Sequence, residues 1–310
     1  MNVLVTGATG FIGRFLTQRL VEGDYNVFAL VRKFSQVDFL NSLGVNLIYG
    51  DITDEKSLRN ISAHKIDVVF HCAAHGTHRN WGKLYAVNVI GTENICKLCL
   101  EMGVERLLYL SSTAVVNGNG APLLTEDMPY RATSFYGRSK LYAEKKVIEF
   151  RGKGLRAAIL RPPMVYGEGE PHALGKILFL LKHRFLPLIE EGKAKWQLAY
   201  VRNVVDGLLL ALCKDECLQG TFFLADDEAL TVKEIFSTLS NAIDAPLPYS
   251  LPSWLTPLFV KAPNKGSRYK FFIKDRLCDL TRIKSIGYKP QYHAKESLTR
   301  SACYWLGRKK

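Results

Sequence analysis

The chain has 310 residues, of which 47% are hydrophobic and 23% are charged, a composition ordinary for a globular protein with one large α/β unit or two lobes. No run reaches the roughly 18 uncharged apolar residues that a membrane-spanning helix requires, and the seven scattered cysteines argue against a disulfide framework. The formal charge is +13, and the opening MNVLVTG leaves no room for a secretion leader, so a reduced, cytoplasmic protein is expected.

The first half of the chain alternates short apolar runs with helical patterns. The runs are nearly continuous in Val, Leu and Ile, which is typical of strands covered by helices on both faces. The stretches between them, such as FLTQRLVEG, have helical spacing and end at glycine. Strands are predicted at 2–6, 26–31, 45–50, 67–71, 106–111 and 155–161. Right-handed crossovers between them predict the α/β class, with a doubly wound parallel sheet.

The first predicted strand runs directly into TGATGFIGR, where Gly7, Gly10 and Gly13 precede a helix. Such a turn needs glycine for its backbone angles and for the close approach of a pyrophosphate, and the helix start offers free N–H groups to the phosphates. With a strand before it and a helix after it, the loop predicts a dinucleotide site rather than a merely structural turn.

The end of the second predicted strand indicates which dinucleotide is bound. An acidic residue there would hold the ribose hydroxyls of NAD, whereas a basic residue would accept the 2′-phosphate of NADP. The sequence reads FALVRK, with Arg32 and Lys33 and no acid. NADP is therefore favoured over NAD, and the alternative is that Arg32 merely faces solvent.

The stretch FYGRSKLYAEK, at 135–145, places Tyr136 four residues before Lys140 at the start of a predicted helix. Positions i and i+4 share one helix face, so the phenol and the ammonium point to the same spot. Such a pair suits acid–base chemistry, although a solvated helix face can have the same spacing.

After about residue 168 the pattern changes to longer apolar helices with frequent prolines, which predicts a second, smaller lobe. The run TFFLA at 221–225 again has the pattern of a sheet strand, so the two parts are expected to interdigitate. Residues 1–168, together with 196–225, are assigned to a dinucleotide-binding domain, and residues 169–310 mainly to a substrate-binding lobe. The segment at 173–189 could form an apolar wall over a hydrophobic substrate or pack inside the lobe.

The basic character of the chain belongs to its C-terminal end, because residues 251–310 hold 14 Lys and Arg against 3 Asp and Glu. This end lacks the stacking aromatics and the motif frame of a nucleic-acid module, so a solvated basic face is expected, with no nucleic-acid partner. The apolar stretch LPSWLTPLFVKAP at 251–263 is followed by Lys265, Arg268, Lys270 and Lys274. Peripheral membrane contact through this region is the minority interpretation.

Short motifs follow one another along nearly the whole chain. They are TGATGFIG, GDIT at 50–53, HCAA at 71–74, NVIGTEN at 88–94, YLSST at 109–113, YGRSK at 136–140, LRPPMVYG at 160–167, YVRNVVDG at 200–207 and IGYKP at 286–290. Each motif is weak, but their order is specific. The ordered set resembles the extended branch of the short-chain dehydrogenase/reductase family, the branch of NAD-dependent epimerases and dehydratases and of 3β-hydroxysteroid dehydrogenases.

The resemblance implies which residues carry the chemistry. Tyr136 and Lys140, with Thr113 or its neighbour Ser112, would be catalytic. Tyr136 would exchange a proton with the substrate oxygen while hydride moves to or from the nicotinamide, and Lys140 would favour the phenolate and hold the ribose hydroxyls. The implied cofactor contacts are Gly7, Thr9, Gly10, Phe11, Ile12 and Gly13, with Arg32, Asp51 and Ile52 at the adenine end, Ala73 and Ala74 beneath the ribose, Asn88 as backbone support and Pro162 near the nicotinamide.

The family contains net oxidoreductases, nucleotide-sugar epimerases and nucleotide-sugar dehydratases. Dehydratases carry an Asp-Glu pair directly after the catalytic Thr, but Thr113 is followed by Ala114 and Val115. Met164 stands where many sugar-nucleotide enzymes have Asn, and Asn203 where they often have Asp. We therefore expect net oxidation or reduction of a small, fairly apolar hydroxy or keto substrate. A UDP-hexose epimerase is the alternative, and a non-catalytic NADP-binding protein is the second alternative.

Two further expectations concern metals and partners. The segment HCAAHGTH holds His71, Cys72, His75 and His78, but these spacings match no standard structural zinc pattern, so a loop beside the nicotinamide is expected and no metal. The family resemblance also implies a homodimer formed through helices that include residues 80–102 and 134–152.

Overall fold

A computed structural model of the chain describes residues 1–76, 80–251 and 272–307. Its strands are β1 (Asn2–Thr6), β2 (Asn26–Val31), β3 (Asn46–Tyr49), β4 (Val68–His71), β5 (Arg106–Leu110), β6 (Leu123–Leu124), β7 (Ala157–Arg161), β8 (Val165–Tyr166), β9 (Lys195–Gln197), β10 (Ala199–Tyr200), β11 (Thr221–Phe223), β12 (Ala229–Thr231) and β13 (Leu277–Cys278). Seven of them form one sheet, in the order β11-β7-β5-β4-β1-β2-β3, with every neighbouring pair parallel. The strand order reverses between β1 and β4, so the predicted doubly wound sheet is confirmed.

Helices cover both faces of this sheet. The helices of the described residues are α1 (Phe11–Glu22), α2 (Asp38–Ser42), α3 (Glu55–Leu58), α4 (Trp81–Leu84), α5 (Gly91–Glu101), α6 (Phe135–Arg151), α7 (Leu174–Lys182), α8 (Val201–Cys213), α9 (Val232–Ala242), α10 (Thr281–Ser285) and α11 (Ala294–Trp305). A π-helical turn, Tyr85–Ile90, joins α4 to α5. Helices α1 and α8 share one hydrophobic core with the sheet, and α5 and α6 share the core on the other face.

Strand β1 shows how its apolar run serves both cores. Successive side chains of a strand point to opposite faces, so a strand covered on both sides needs apolar residues at every position. Val3 and Val5 lie in the core beneath α1 and α8, whereas Leu4 lies in the core beneath α5 and α6. The unbroken hydrophobic run is therefore a direct consequence of the double layer of helices.

A third core lies in the C-terminal part of the chain, where α7, α9 and α11 pack together. Leu174, Leu178 and Leu181 of α7 are buried in this core, so core packing is the better description of the segment 173–189 for these three residues. Strand β11 crosses back and pairs with β7 at the edge of the main sheet, where the run 221–225 is predicted to lie. The division of the chain near residue 168 stays a prediction.

Among the described residues, no helix combines the length and the apolar character needed to cross a bilayer. The apolar stretch at 252–263 and three of the four basic residues that follow it lie outside the described part of the chain. Peripheral membrane contact and a cytoplasmic location therefore both stay predictions.

Candidate active site

The loop between β1 and α1 is shaped by its glycines. Gly7 has a positive φ of 75°, and a Cβ at this position would lie 2.7 Å from the backbone nitrogen of Ala73. A Cβ on Gly13 would lie 2.0 Å from the carbonyl oxygen of Gly7. The loop thus packs backbone against backbone, with Thr9 and Gly10 exposed at its tip. This cradle, at a helix N-terminus with no capping side chain, fits the diphosphate of a dinucleotide.

The other residues of the loop face the interior. The side chains of Phe11 and Ile12 pack against the third core, and Phe11 meets Phe15 edge to face with ring centroids 5.9 Å apart. Their contribution to a cofactor would therefore come from the backbone at the start of α1. These contacts also join α1 to the C-terminal lobe.

A cleft of about 410 Å³ opens beside the loop, at the end of β2. Its lining includes the guanidinium-bearing side chains of Arg14 and Arg32 and the carboxyl-bearing Asp38. The Arg14 guanidinium lies 4.5 Å from the centroid of the Phe39 ring, which holds it at the cleft wall. The predicted Arg32 is therefore joined by a second arginine. Arg14 is not among the predicted contacts, although it directly follows the third glycine.

The turn after β3 holds Asp51 and Ile52, the two residues expected at the adenine end of a cofactor. Asp51 does not point its carboxylate freely outward, because Oδ1 accepts hydrogen bonds from the backbone nitrogen of Thr53 at 2.9 Å and from its hydroxyl at 2.8 Å. Ile52 is buried, and a Cβ on Gly91 would lie 2.6 Å from its Cδ1. Asp51 therefore shapes the turn after β3, and the absent side chain of Gly91 makes room for Ile52.

Asn88 fixes the loop that carries Ala73 and Ala74. It lies in the π-helical turn and is buried, with Oδ1 accepting from the backbone nitrogen of His75 at 2.7 Å. Its Nδ2 donates to the carbonyl oxygen of His75 at 3.1 Å and to the Ser139 hydroxyl at 2.9 Å. One amide therefore ties the loop after β4 to helix α6. A π-helical turn at this point agrees with the tendency of such turns to occur at functional sites.

His71 is a structural residue in the interior. Its Nδ1 lies 2.7 Å from the Thr6 hydroxyl and its Nε2 lies 3.0 Å from the Thr92 hydroxyl, so the ring bridges β1 and α5. Burial, together with the charge of Lys140, lowers the pKa of His71 to about 3, which keeps the ring neutral. The described residues contain no cluster that could hold a metal ion, and His78 lies outside them.

Tyr136 and Lys140 occupy the first turns of α6, which begins after Ser134, whose hydroxyl accepts from the backbone nitrogen of Gly137 at 3.0 Å. The phenol of Tyr136 shares a hydrogen bond with the side chain of Ser112. Lys140 Nζ donates to the carbonyl oxygen of Leu110 at 2.6 Å. The helix face carrying the pair therefore lies against the end of β5.

Thr113 and Pro162 complete this group at the carboxyl edge of the sheet. Thr113 starts a short 3₁₀ turn, and its backbone nitrogen donates to the carbonyl oxygen of Pro162 at 3.0 Å. Of the two candidate hydroxyls, that of Ser112 contacts Tyr136 in this structure. The ends of β5 and β7 and the start of α6 thus bring together Ser112, Thr113, Tyr136, Lys140 and Pro162, at the edge where open α/β sheets bind ligands.

Burial changes the acid–base properties of the pair. It raises the pKa of Tyr136 to about 12, against a smaller opposing effect from the hydrogen bond with Ser112. It lowers the pKa of Lys140 to about 8, and the negative charge of Glu144 opposes that change. At neutral pH the phenol therefore keeps its proton and the amine is mostly charged. This is the state of a proton donor with a cation beside it.

Glu144 is a buried residue of this site that is not among the predicted ones. It is 0% exposed and lies one turn beyond Lys140 on α6. A spacing of four residues after Lys140 is the signal in the sequence that could have identified it.

Asn203 stands where sugar-nucleotide enzymes often have Asp, and its hydrogen bonds explain why an amide is present here. Its Nδ2 donates to Asp226 Oδ1 at 2.8 Å and to the carbonyl oxygen of Tyr292 at 3.0 Å. Its Oδ1 accepts from the backbone nitrogens of Gln291 and Tyr292 at 3.0 and 3.1 Å. Aspartate could not donate to the buried Asp226, so this position needs an amide, and its identity says nothing about the substrate.

Comparison with known proteins gives a consistent family. Residues 3–223 match the model of the NAD dependent epimerase/dehydratase family. UDP-glucose 4-epimerase of Vibrio cholerae is 30% identical over 98% of this chain and 95% of that protein. The 2-alkyl-3-oxoalkanoate reductase of Stenotrophomonas maltophilia is 29% identical over 79% of this chain and 77% of that protein. The crystal structure of UDP-glucose 4-epimerase from Thermotoga maritima with UDP-glucose superimposes with a TM-score of 0.82, at 25% identity and 99% coverage of both chains.

Proposed function

Because the chain belongs to the NAD dependent epimerase/dehydratase family, among the extended short-chain dehydrogenase/reductase enzymes, we propose that it is an NADP-dependent oxidoreductase. It interconverts a hydroxyl and a carbonyl on a small, fairly apolar substrate. The observation that carries this proposal is the partly buried phenol of Tyr136, hydrogen-bonded to Ser112 and one turn from Lys140 at the carboxyl edge of the sheet.

A nicotinamide cofactor held at the glycine loop would supply the hydride that reduces the substrate's carbonyl carbon. In the reductive direction Tyr136 donates its Oη proton to the carbonyl oxygen, which becomes the hydroxyl. Lys140, charged beside it, stabilises the phenolate that remains until a proton from solvent restores the phenol. Ser112 shares the hydrogen bond that orients Oη, and Thr113 lines the same substrate oxygen site.

The preference for NADP is supported by the cleft beside the glycine loop. Arg14 and Arg32 both line it, and a guanidinium can pair with a phosphate through two parallel hydrogen bonds. Asp38 lines the same cleft and would oppose a phosphate in its immediate vicinity. The two positive guanidinium charges outnumber the one carboxylate charge in the lining of the cleft, and this excess favours a 2′-phosphate.

Net oxidation or reduction of an apolar substrate, rather than chemistry on a sugar nucleotide, is supported by three observations. The pair of acids needed to eliminate water is missing after Thr113, where Ala114 and Val115 follow. Met164, partly buried against the third core, has a thioether at the position where many sugar-nucleotide enzymes have an amide. Among the relatives, the 2-alkyl-3-oxoalkanoate reductase is named for a keto substrate that carries an alkyl chain, which supports a substrate of this kind.

The second candidate is a UDP-hexose 4-epimerase, which the Vibrio cholerae relative favours because it matches over nearly the whole of both chains. An epimerase returns its hydride within one turnover and needs no exchange with the pool of free cofactor. The same Tyr136 and Lys140 would serve, since the proton would leave and return to the sugar oxygen while the hydride leaves and returns to the carbon that bears it.

One pair of incubations distinguishes these candidates. Purified protein is incubated with NADPH and a panel of ketones, while the absorbance of the reduced cofactor is followed, and separately with UDP-glucose and UDP-galactose, analysed by chromatography. We expect net oxidation of NADPH with an apolar ketone and no interconversion of the sugars. Interconversion without net cofactor consumption would establish the epimerase. Absence of both reactions, with NADPH bound, would favour the non-catalytic alternative.

A further inference from the structure

The carboxylate of Glu144 is fully enclosed and fully hydrogen-bonded. Oε1 accepts from Arg161 Nε at 2.9 Å and from the Ser111 hydroxyl at 2.5 Å. Oε2 accepts from Arg161 Nη2 at 2.7 Å and from the Tyr130 hydroxyl at 2.7 Å. A carboxylate has about four lone-pair sites, and here each receives a donor. Such complete pairing in the interior fixes the position of the group.

These donors come from the segments that carry the candidate active site. Ser111 directly precedes Ser112 at the end of β5, and Arg161 directly precedes Pro162 at the end of β7. Glu144 itself stands one turn beyond Lys140 on α6. A single carboxylate therefore joins the helix that bears Tyr136 and Lys140 to the two strand ends opposite it.

A buried ion pair of this kind is weak evidence for a purely stabilising role. Desolvation of the two charges offsets most of their attraction, and apolar residues of the same volume usually give equal or greater stability. The side chains of Arg161 and Glu144 are only 4% and 0% exposed, so the desolvation here is nearly complete. The location of the pair, behind the candidate active site, indicates a different purpose.

We propose that Glu144 is a positioning residue for the Tyr136–Lys140 pair: its carboxylate holds α6 against the ends of β5 and β7, and its negative charge keeps Lys140 protonated. This inference rests on the proposed function, which gives Tyr136 and Lys140 their roles. In the enclosed site, burial lowers the pKa of Lys140, and the negative charge of Glu144 is the largest influence that opposes that change.

Several other polar groups face Glu144 or Lys140 and must be considered in any titration. They are Arg161 on β7, Tyr130 in the loop before α6, Tyr109 on β5, Arg151 further along α6, and His71 and Cys72 at the end of β4. Burial raises the pKa of the Cys72 thiol to about 12 and keeps His71 neutral, so neither charges near neutral pH. Without the negative charge of Glu144, the buried guanidinium of Arg161 would lack its ion-pair partner.

The test therefore uses a double variant. Glu144→Gln alone would leave the Arg161 guanidinium buried without its partner and could unfold the chain, whereas Glu144→Gln/Arg161→Met removes both charges together. For the double variant we expect kcat of the reduction to fall by about tenfold or more with KM changed by less than about threefold, because ground-state binding is retained. The alkaline limb of the pH profile should move down by about one pH unit.

Two further variants separate the charge from its surroundings. Glu144→Asp keeps a carboxylate at this point, and we expect it to leave the alkaline limb close to that of the unmodified protein, even where kcat falls. Glu149→Gln removes a carboxylate from the exposed side of the same helix, where it pairs with Lys146 and Lys153. It should leave both kcat and the pH profile unchanged.

A measurement independent of turnover decides the inference even if no substrate is found. In protein labelled with [ε-¹³C]lysine, the Lys140 resonance is assigned by its absence in Lys140→Met and titrated by NMR. Its midpoint should lie lower in the folded double variant than in the unmodified protein. Equal midpoints, or an unchanged pH profile and kcat, would overturn the role of Glu144. Failure of the proposed function would be recognised separately, because the unmodified protein would then turn over no ketone.

Discussion

Tyr136 holds its proton at neutral pH because burial of the phenol raises its pKa, and in the proposed reaction this state suits a reduction better than an oxidation. In the oxidative direction the same group would have to lose its proton first, and the charge of Lys140 would lower the cost. In this proposal the balance between the two directions depends on the charge of Lys140. Ser112, which shares the hydrogen bond with Tyr136, would set the position of Oη in both directions.

Replacement of Tyr136 by Phe removes only the ionisable oxygen. We expect turnover to fall by about a thousandfold or more, because general acid catalysis of this kind contributes about 10²–10⁴-fold. The affinity for NADPH should change little, since the glycine loop and Lys140 remain. Turnover is measured by NADPH absorbance and affinity by fluorescence titration. A variant that keeps near-normal turnover on a verified substrate would show that Tyr136 is not the proton donor.

The pH dependence of the reduction follows from Lys140. Burial lowers its pKa to about 8, so its charge is present below that pH and is lost as the pH rises through it. We expect kcat/KM, which reports the free enzyme, to be level below about pH 8 and to fall by about tenfold per unit above it. A rate that rises through this range would contradict the requirement for a charged Lys140. Far-UV circular dichroism at each pH provides the control for unfolding.

The proposed preference for NADP rests on Arg32 and Arg14. We expect the unmodified protein to bind NADPH more tightly than NADH, and Arg32→Asp to level or reverse the preference, because a carboxylate repels the 2′-phosphate and accepts the ribose hydroxyls. Arg14→Gln should weaken NADPH binding with little effect on NADH. Lys33→Gln is a matched control, since Lys33 lies outside the lining of the cleft. Equal affinities of the unmodified protein for both cofactors would refute the prediction.

At the scale of elements, the turn between β1 and α1 is tightly constrained by its glycines. A Cβ on Gly13 would lie 2.0 Å from the Gly7 carbonyl oxygen, so Gly13→Ala must displace the loop or the helix. We expect the melting temperature to fall by roughly 5 °C or more, as typical of severe overpacking, and NADPH binding to weaken. Gly82→Ala in α4 is the control, because a Cβ there would meet its nearest atom at 3.5 Å. An unchanged melting temperature for Gly13→Ala would show that the loop is not closed as described.

The sequence predicts the elements well where they depend on local pattern. Strands β1 and β2 lie at the predicted residues because their apolar runs end at turns. The predicted strand at 155–161 begins later, at Ala157, because the backbone nitrogen of Leu155 donates to Phe150 at the end of α6 and is not available to the sheet. This bond closes the end of α6 locally, beside Gly154 with its positive φ, and apolar periodicity does not describe such helix-end bonds.

The same division applies to the site. The glycine loop and the Tyr136–Lys140 spacing are local features, and the sequence shows both. Arg14 follows the third glycine and Glu144 lies four residues after Lys140, but these spacings alone do not reveal what the two side chains contact. The contacts depend on the sheet, which brings β2 near α1, and on the packing of α6 against β5 and β7. The amide at Asn203 depends on Asp226, twenty-three positions further on, so its purpose is visible only in the folded chain.

At the scale of the whole molecule, a homodimer is the remaining prediction, and an exposed aromatic group on α4 to α6 supports it. Trp81 contacts Tyr85, Phe135 and Tyr142 with ring centroids 5.8, 5.9 and 6.1 Å apart. Tyr85, Phe135 and Tyr142 are 39%, 46% and 38% exposed. Contiguous exposed aromatics are typical of interface anchors, and a two-fold axis would let the same patch meet its copy.

We therefore expect the mass in solution, measured by light scattering after size-exclusion chromatography, to be twice the 34.9 kDa of the chain. Tyr142→Glu should shift the protein toward the monomer, because two copies would bury opposed carboxylates at the same patch. Tyr304→Glu is the matched control, since Tyr304 is 58% exposed on the last helix, α11, away from this patch. Since α6 carries both the patch and Tyr136, loss of the dimer should also lower activity. A monomeric mass for the unmodified protein at micromolar concentration would show that the predicted dimer does not form.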